Sequence, residues 1–192
     1  VNRRCQCQDC IRERSLTLRW FGRAVVVIAF VLWLVFIASC AKQSGEPDQF
    51  TGKTFTGAQV RADVPGATLG SLAYAEVNPA WLEWYYPKFR DDLSAGAYGI
   101  TKWDGSFKCT AFTTLFVAEA QMTFFKQSFH STVGAQSVAL GEFWYMPAGS
   151  TVGHALVVAL TPQGRRFFEP QTGKWVTLTQ AEVNSAFLRK FN

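Results

Sequence analysis

Cys109, His154 and Glu169 have the residue types, and the order along the chain, for thiol chemistry. Cys109 stands in Ser106-Phe107-Lys108-Cys109-Thr110-Ala111-Phe112, which reads as a short loop running into a helix. Helix N-termini favour a thiolate over a thiol through the dipole and the free backbone N–H groups, which also offer oxyanion donors. His154 follows a glycine and opens the apolar run Ala155–Leu160, so a strand end would hold its imidazole open to a cleft. There it could take a proton from a thiol and return it to a leaving group. Glu169 closes the next short run, Arg165–Phe168, across a Pro162-Gln163-Gly164 turn. A hairpin at that turn returns Glu169 to the start of the His154 strand, where a carboxylate orients an imidazole. Gln171 is a rival for that role, because an amide also holds a ring, and a salt bridge to a nearby arginine is the plain structural alternative for Glu169. His130, in a Ser/Thr-rich turn, fits an exposed structural histidine.

Cysteine usage sharpens the interest in Cys109. After residue 39 the chain carries only Cys40 and Cys109. If Cys40 is modified, Cys109 has no disulfide partner within the chain, and a lone thiol in an exported domain reads as reactive or intermolecular. The other reading is a buried cysteine acting as a small hydrophobe.

The elements that must position these residues follow from periodicity. Phe112, Leu115, Phe116, Ala118, Ala120, Met122 and Phe125 predict a long central helix over 108–129. Ser137–Tyr145, His154–Thr161 and Arg165–Phe168 are short runs bounded by Met146–Ser150 and Thr161–Gly164, the pattern of an antiparallel meander. Trp175–Leu178 adds a further strand, and Thr179-Gln180-Ala181-Glu182 opens a last helix with a capping box. Pro79 to Tyr86 reads as a short helix stopped by Pro87. A helix followed by an antiparallel sheet gives an α+β domain over 72–192, with the cysteine-bearing helix packed on a small sheet.

The preceding chain reads differently. Residues 41–71, rich in Gly, Pro and Ser, carry no apolar period and read as a tether, with Thr51–Val60 the one candidate strand. Residues 1–40 combine six arginines, an uncharged run from Ala24 to Ala38 and a closing Ile37-Ala38-Ser39-Cys40. That layout is a secretory signal, and its last four residues resemble a bacterial lipobox, which implies cleavage before Cys40 and lipid attachment to it. An uncleaved anchor is the alternative. Either one places 41–192 outside the cytoplasm, in a bacterial cell envelope, with the membrane as a partner. The net charge of +5 lies mostly in the first 23 residues, so it speaks for membrane orientation and against nucleic-acid binding. Cys5, Cys7 and Cys10 lack a fourth ligand for a closed zinc site, and neither a metal nor a cofactor is expected.

Cys at a helix start, Gly153-His154-Ala155 on a strand and Phe168-Glu169-Pro170-Gln171-Thr172-Gly173 on the next resemble the papain-like cysteine peptidase superfamily. The set is similar to the catalytic domain of Marasmius-type agglutinin and to bacterial transglutaminase-like cysteine proteinases, over roughly residues 77–178. The resemblance implies Cys109 as nucleophile, His154 as base and Glu169 as orienting acid. Where papain-like peptidases often place a Gln before the cysteine, this chain has Lys102–Ser106, so Trp103 and Ser106 become the candidate oxyanion donors. Trp103 and Trp144 are candidate cleft residues for substrate. The implied function is an exported, membrane-tethered thiol hydrolase of amide bonds in peptides or peptidoglycan. An inactive binding or envelope lipoprotein of the same fold and a transglutaminase-like acyltransferase are the alternatives.

Overall fold

The computed structural model describes residues 45–95, 99–100, 108–128 and 134–192. Its architecture is α+β with two sheets and, among the described residues, four helices. The chain runs β1 (Phe50–Thr56), α1 (Gly57–Asp63), β2 (Thr68–Leu69), β3 (Ala73–Val77), α2 (Pro79–Ala95) and α3 (Cys109–Ser128). It continues through β4 (Ser137–Val138), β5 (Leu140–Tyr145), β6 (His154–Thr161), β7 (Gly164–Glu169), β8 (Lys174–Val176), α4 (Gln180–Asn184) and β9 (Leu188–Phe191).

The larger sheet has the order β2-β9-β5-β6-β7-β8. Its β5-β6-β7-β8 part is the antiparallel meander that the alternating runs predict. The remainder makes the sheet mixed: β9 enters antiparallel to β5, and β2 joins β9 in parallel. The smaller sheet, β1-β3-β4, pairs β3 with β4 in parallel. Residues 137–145 therefore serve two sheets, β4 in the smaller and β5 in the larger, with Ala139 between them.

Helix α3 supplies the core. Phe112, Phe116, Ala120 and Phe124 recur every four residues on its buried stripe, with Thr113 and Val117 beside them. Phe116 meets Tyr85 and Phe89 of α2 edge-on and Phe168 of β7 at 5.4 Å. Each such side chain, fully buried, contributes about 1.5–3 kcal/mol before packing terms. The stripe on α2 explains why that helix runs past Pro87 to Ala95 instead of stopping. Trp81, Leu82, Tyr85, Phe89 and Leu93 are all buried, and their combined burial outweighs the roughly 3 kcal/mol that an internal proline costs.

Residues 46–71 are not a tether. Glu46–Asn192 forms one compact unit, and β1, α1 and β2 belong to it. Two valines, Val60 and Val64, anchor this stretch in the core, too few to give a period amid Gly and Pro. No described helix is long and apolar enough to cross a membrane. The apolar run 24–38, the lipobox cysteine Cys40, the Cys5/Cys7/Cys10 cluster, Trp103, Ser106 and His130 lie outside the described residues.

Candidate functional site at one end of the large sheet

The end of β5, the start of β6 and the end of β7 lie at one edge of the large sheet, and each carries a polar or aromatic group there. His154 opens β6 directly opposite Tyr145, the last residue of β5. Glu169 ends β7, and its Oε2 lies 2.5 Å from His154 Nε2. The His154 side chain keeps 27% of its surface and Glu169 only 11%, so the carboxylate holds a ring that still faces solvent.

Local chemistry fixes Glu169. Its second oxygen, Oε1, accepts from the Gln171 backbone N–H at 3.0 Å. The following turn closes with Gly173 N–H donating to the Glu169 carbonyl at 2.8 Å. Gly173 sits at φ +70°, and a Cβ there would collide with the Tyr86 ring. Tyr86 in turn donates its hydroxyl to the Gln171 carbonyl at 3.0 Å. Glycine is required on both counts, backbone conformation and space. Gln171 thus works through its main chain: it supports the turn, and the side chain that orients His154 is Glu169.

Cys109 is the first residue of α3, free and half-buried. Among the described residues no hydrogen bond joins its thiol to His154. Tyr145 stands beside His154. Its ring meets the imidazole edge-on at 6.0 Å. Its phenol is held above the ordinary tyrosine value by burial, then by the fields of Glu182, Glu169 and Cys109. Of the three residues that the sequence singles out, His154 and Glu169 are paired directly, and Cys109 lies near enough to Tyr145 for its charge to act on the phenol. The stretch that leads into the thiol, 101–107, lies outside the described residues.

Trp144 reaches the same edge from β5. Its indole Nε1 donates to Glu142 Oε2 at 3.2 Å, and Thr114 of α3 donates to the same oxygen at 2.8 Å. Both bonds fall on Oε2, which leaves Oε1 of this largely buried carboxylate as an acceptor. Phe187, 60% exposed, stands edge-on to Trp144 at 6.3 Å and is tied to it by a backbone bond, Phe187 N–H to Trp144 O. The same ring lies over Gly153, where a Cβ would come within 3.0 Å of it. Glu142, Phe187 and Thr114 escape sequence reasoning because each is defined by a partner distant in the chain. The glycine before His154 was the one local signal of a close neighbour.

Among the described residues no group of His, Cys, Asp and Glu side chains could hold a metal ion. No protein-family model matches the chain, and no curated protein matches it. Solved structures do. One is a complex of PSL1a with E64, at a TM-score of 0.54 and 18% identity, covering 72% of this chain and 51% of that one. Another is the Polyporus squamosus lectin bound to the human-type influenza-binding epitope Neu5Acα2-6Galβ1-4GlcNAc. It matches at a TM-score of 0.53 and 19% identity, over 72% of this chain and 49% of that one. These matches correct the functional expectation. The ligand recorded for the lectin is a sialylated glycan, where the sequence pointed to a membrane-tethered thiol hydrolase of peptides or peptidoglycan. That hydrolase, its lipoprotein and acyl-transfer alternatives and its peptide or membrane partners are set aside. The chain spans about half the length of the structures it matches, and at this identity the likeness is one of fold.

Proposed function

We propose that this domain binds glycans through the Trp144–Phe187 face, on a scaffold organised as in the papain-like superfamily. The observation that carries the reading is the exposed Phe187 ring and the half-buried Trp144 indole, with the Glu142 carboxylate bonded to the indole edge. A pyranose presents an apolar C–H face and a rim of hydroxyls. Aromatic rings with one apolar face and one polar edge complement it, and Glu142 Oε1 supplies an acceptor for the rim. The lectin among the structural neighbours supports the same ligand class. The papain-like organisation is supported by a helix with cysteine at its first position, beside a sheet whose neighbouring strands carry His154 and Glu169.

A glycan array tests this reading, with Neu5Acα2-6Galβ1-4GlcNAc included. The chain is expected to be retained on at least one glycan, and Trp144→Ala and Phe187→Ala to lose about tenfold or more of that affinity, the scale of an interface anchor. Retention of no glycan, or undiminished retention by both variants, would overturn it.

A second reading concerns chemistry. The His154–Glu169 pair, together with a half-buried free thiol at the start of α3, supports Cys109 as a nucleophile toward small electrophiles, with His154 as its base and Glu169 as the positioning acid. What is proposed is thiol reactivity, with no turnover of a peptide bond. Alkylation by iodoacetamide near neutral pH should select Cys109 and slow strongly in His154→Ala; equal rates would remove the reading.

A further inference from the structure

Away from this edge, the large sheet ends at β8, and β8 itself ends at Val176. Beyond that point β7 has no strand on its β8 side among the described residues, and a recess of about 260 Å³ opens there, lined by Arg165, Arg166, Trp175, Thr177, Gln180 and Val183. The Arg166 guanidinium lies over the Trp175 indole at 3.8 Å from the ring centroid. That indole is fixed in turn, because its Nε1 donates to Glu83 Oε1 at 2.8 Å.

Stacking occupies the face of a guanidinium and leaves its edge of N–H donors intact. Among the described residues no carboxylate lies within ion-pair reach of Arg166, and no acidic residue lines the recess. Glu83, at the indole edge, already accepts from Trp175. Arg165 adds a second positive charge, with one Nη spent on the Asp63 carbonyl at 2.8 Å. Thr177 and Gln180 place a hydroxyl and an amide at the rim, and Phe167, Leu178 and Val183 supply apolar wall.

We propose that this recess is a binding site for the carboxylate of a small ligand, held as a two-pronged pair on the Arg166 edge. One free planar fork matches two coplanar oxygens sharing one negative charge. The volume lies below the range usual for drug-sized ligands, which limits the occupant to the size of a single sugar acid or a terminal amino acid. The site is separate from the Trp144 face and does not rest on the glycan reading.

Isothermal titration of the full chain provides the test, with D-glucuronate and N-acetylglycine as the two carboxylate probes, D-glucose as the neutral control and inorganic phosphate as the competing anion. One of the carboxylates is expected to bind, and which one tells a sugar acid from a peptide terminus. Arg166→Gln should weaken that probe by about ten- to a hundredfold, the range of a charge-assisted hydrogen bond. Arg166→Lys, which keeps the charge but loses the fork, should weaken it by a comparable factor and guards against misfolding of the neutral variant. Binding of neither carboxylate, equal binding by both variants, or phosphate or glucose binding as tightly as the carboxylates would overturn the assignment.

Discussion

Glu169 uses both carboxylate oxygens, one on His154 and one on the Gln171 backbone, and this double duty decides what its substitution should do. Glu169→Gln keeps an acceptor but removes the negative charge beside the His154 ring. Alkylation of Cys109 near neutral pH should slow by about tenfold or more, while the fold, followed by far-UV circular dichroism, is retained. An unchanged rate would mean that the pair is only structural. Gly173→Ala acts on the same residue from behind. It strains a positive φ and pushes on the Tyr86 ring, so it should cost about 1–3 kcal/mol in urea unfolding and slow Cys109 labelling as well. At this scale the sequence was informative about identity and silent about geometry. Cysteine, histidine and glutamate stood out by type and order, and the structure pairs the last two. The choice between Glu169 and Gln171 depended on which atom of Gln171 the turn consumes, and that is a tertiary fact.

Helices α2 and α3 are joined by Tyr85, whose hydroxyl donates to Glu119 Oε2 at 3.0 Å. Burial and the neighbouring carboxylate raise the Tyr85 phenol well above its ordinary value of 10.0. The folded state therefore holds this proton to higher pH than the unfolded chain does. Its contribution to stability is complete below about pH 10 and is lost as pH rises beyond that value. Urea midpoints followed from about pH 8 to pH 11 should fall less steeply for Tyr85→Phe than for the parent chain; identical slopes would show that another group governs the alkaline limb. Local signals served well where an element is self-contained. The capping box at Thr179 was legible from four residues and is present, with Thr179 accepting from Glu182 N–H and Glu182 from Thr179 N–H. They failed where burial overrides them. Pro87 marks a helix end by its own chemistry, and the aromatic stripe of α2 overrules it. Strand β9 carries Arg189 and Lys190 among four residues and offers no apolar alternation to detect.

Taken whole, the folded unit begins at Glu46, about 25 residues before the Gly/Pro-rich composition gives way. Residues 46–192 expressed alone should unfold in one cooperative transition, whereas a piece starting at residue 72 should not. That second piece lacks β1, β2 and the buried Val60 and Val64. Matching transitions in the two pieces would show that 46–71 is dispensable after all. The meander was visible as four spaced runs, but the mixed sheet was not, because its parallel pair joins strands far apart in the chain. β2 pairs with β9 across some 120 residues, Thr68 opposite Lys190 and Leu69 opposite Phe191.

That last pairing has a consequence for how the molecule is made. Strand β9 lies between β2 and β5, so the last strand of the unit to leave a ribosome is an interior member of the large sheet. Until Phe191 emerges, β2 has no partner and β5 keeps a bare edge, since β9 supplies the neighbour of each on that side. The meander β5-β6-β7-β8 can assemble as soon as its own strands are made, but closure of the sheet waits for β9. During that interval the nascent chain carries an open strand edge, the feature that chaperones and aggregation compete for.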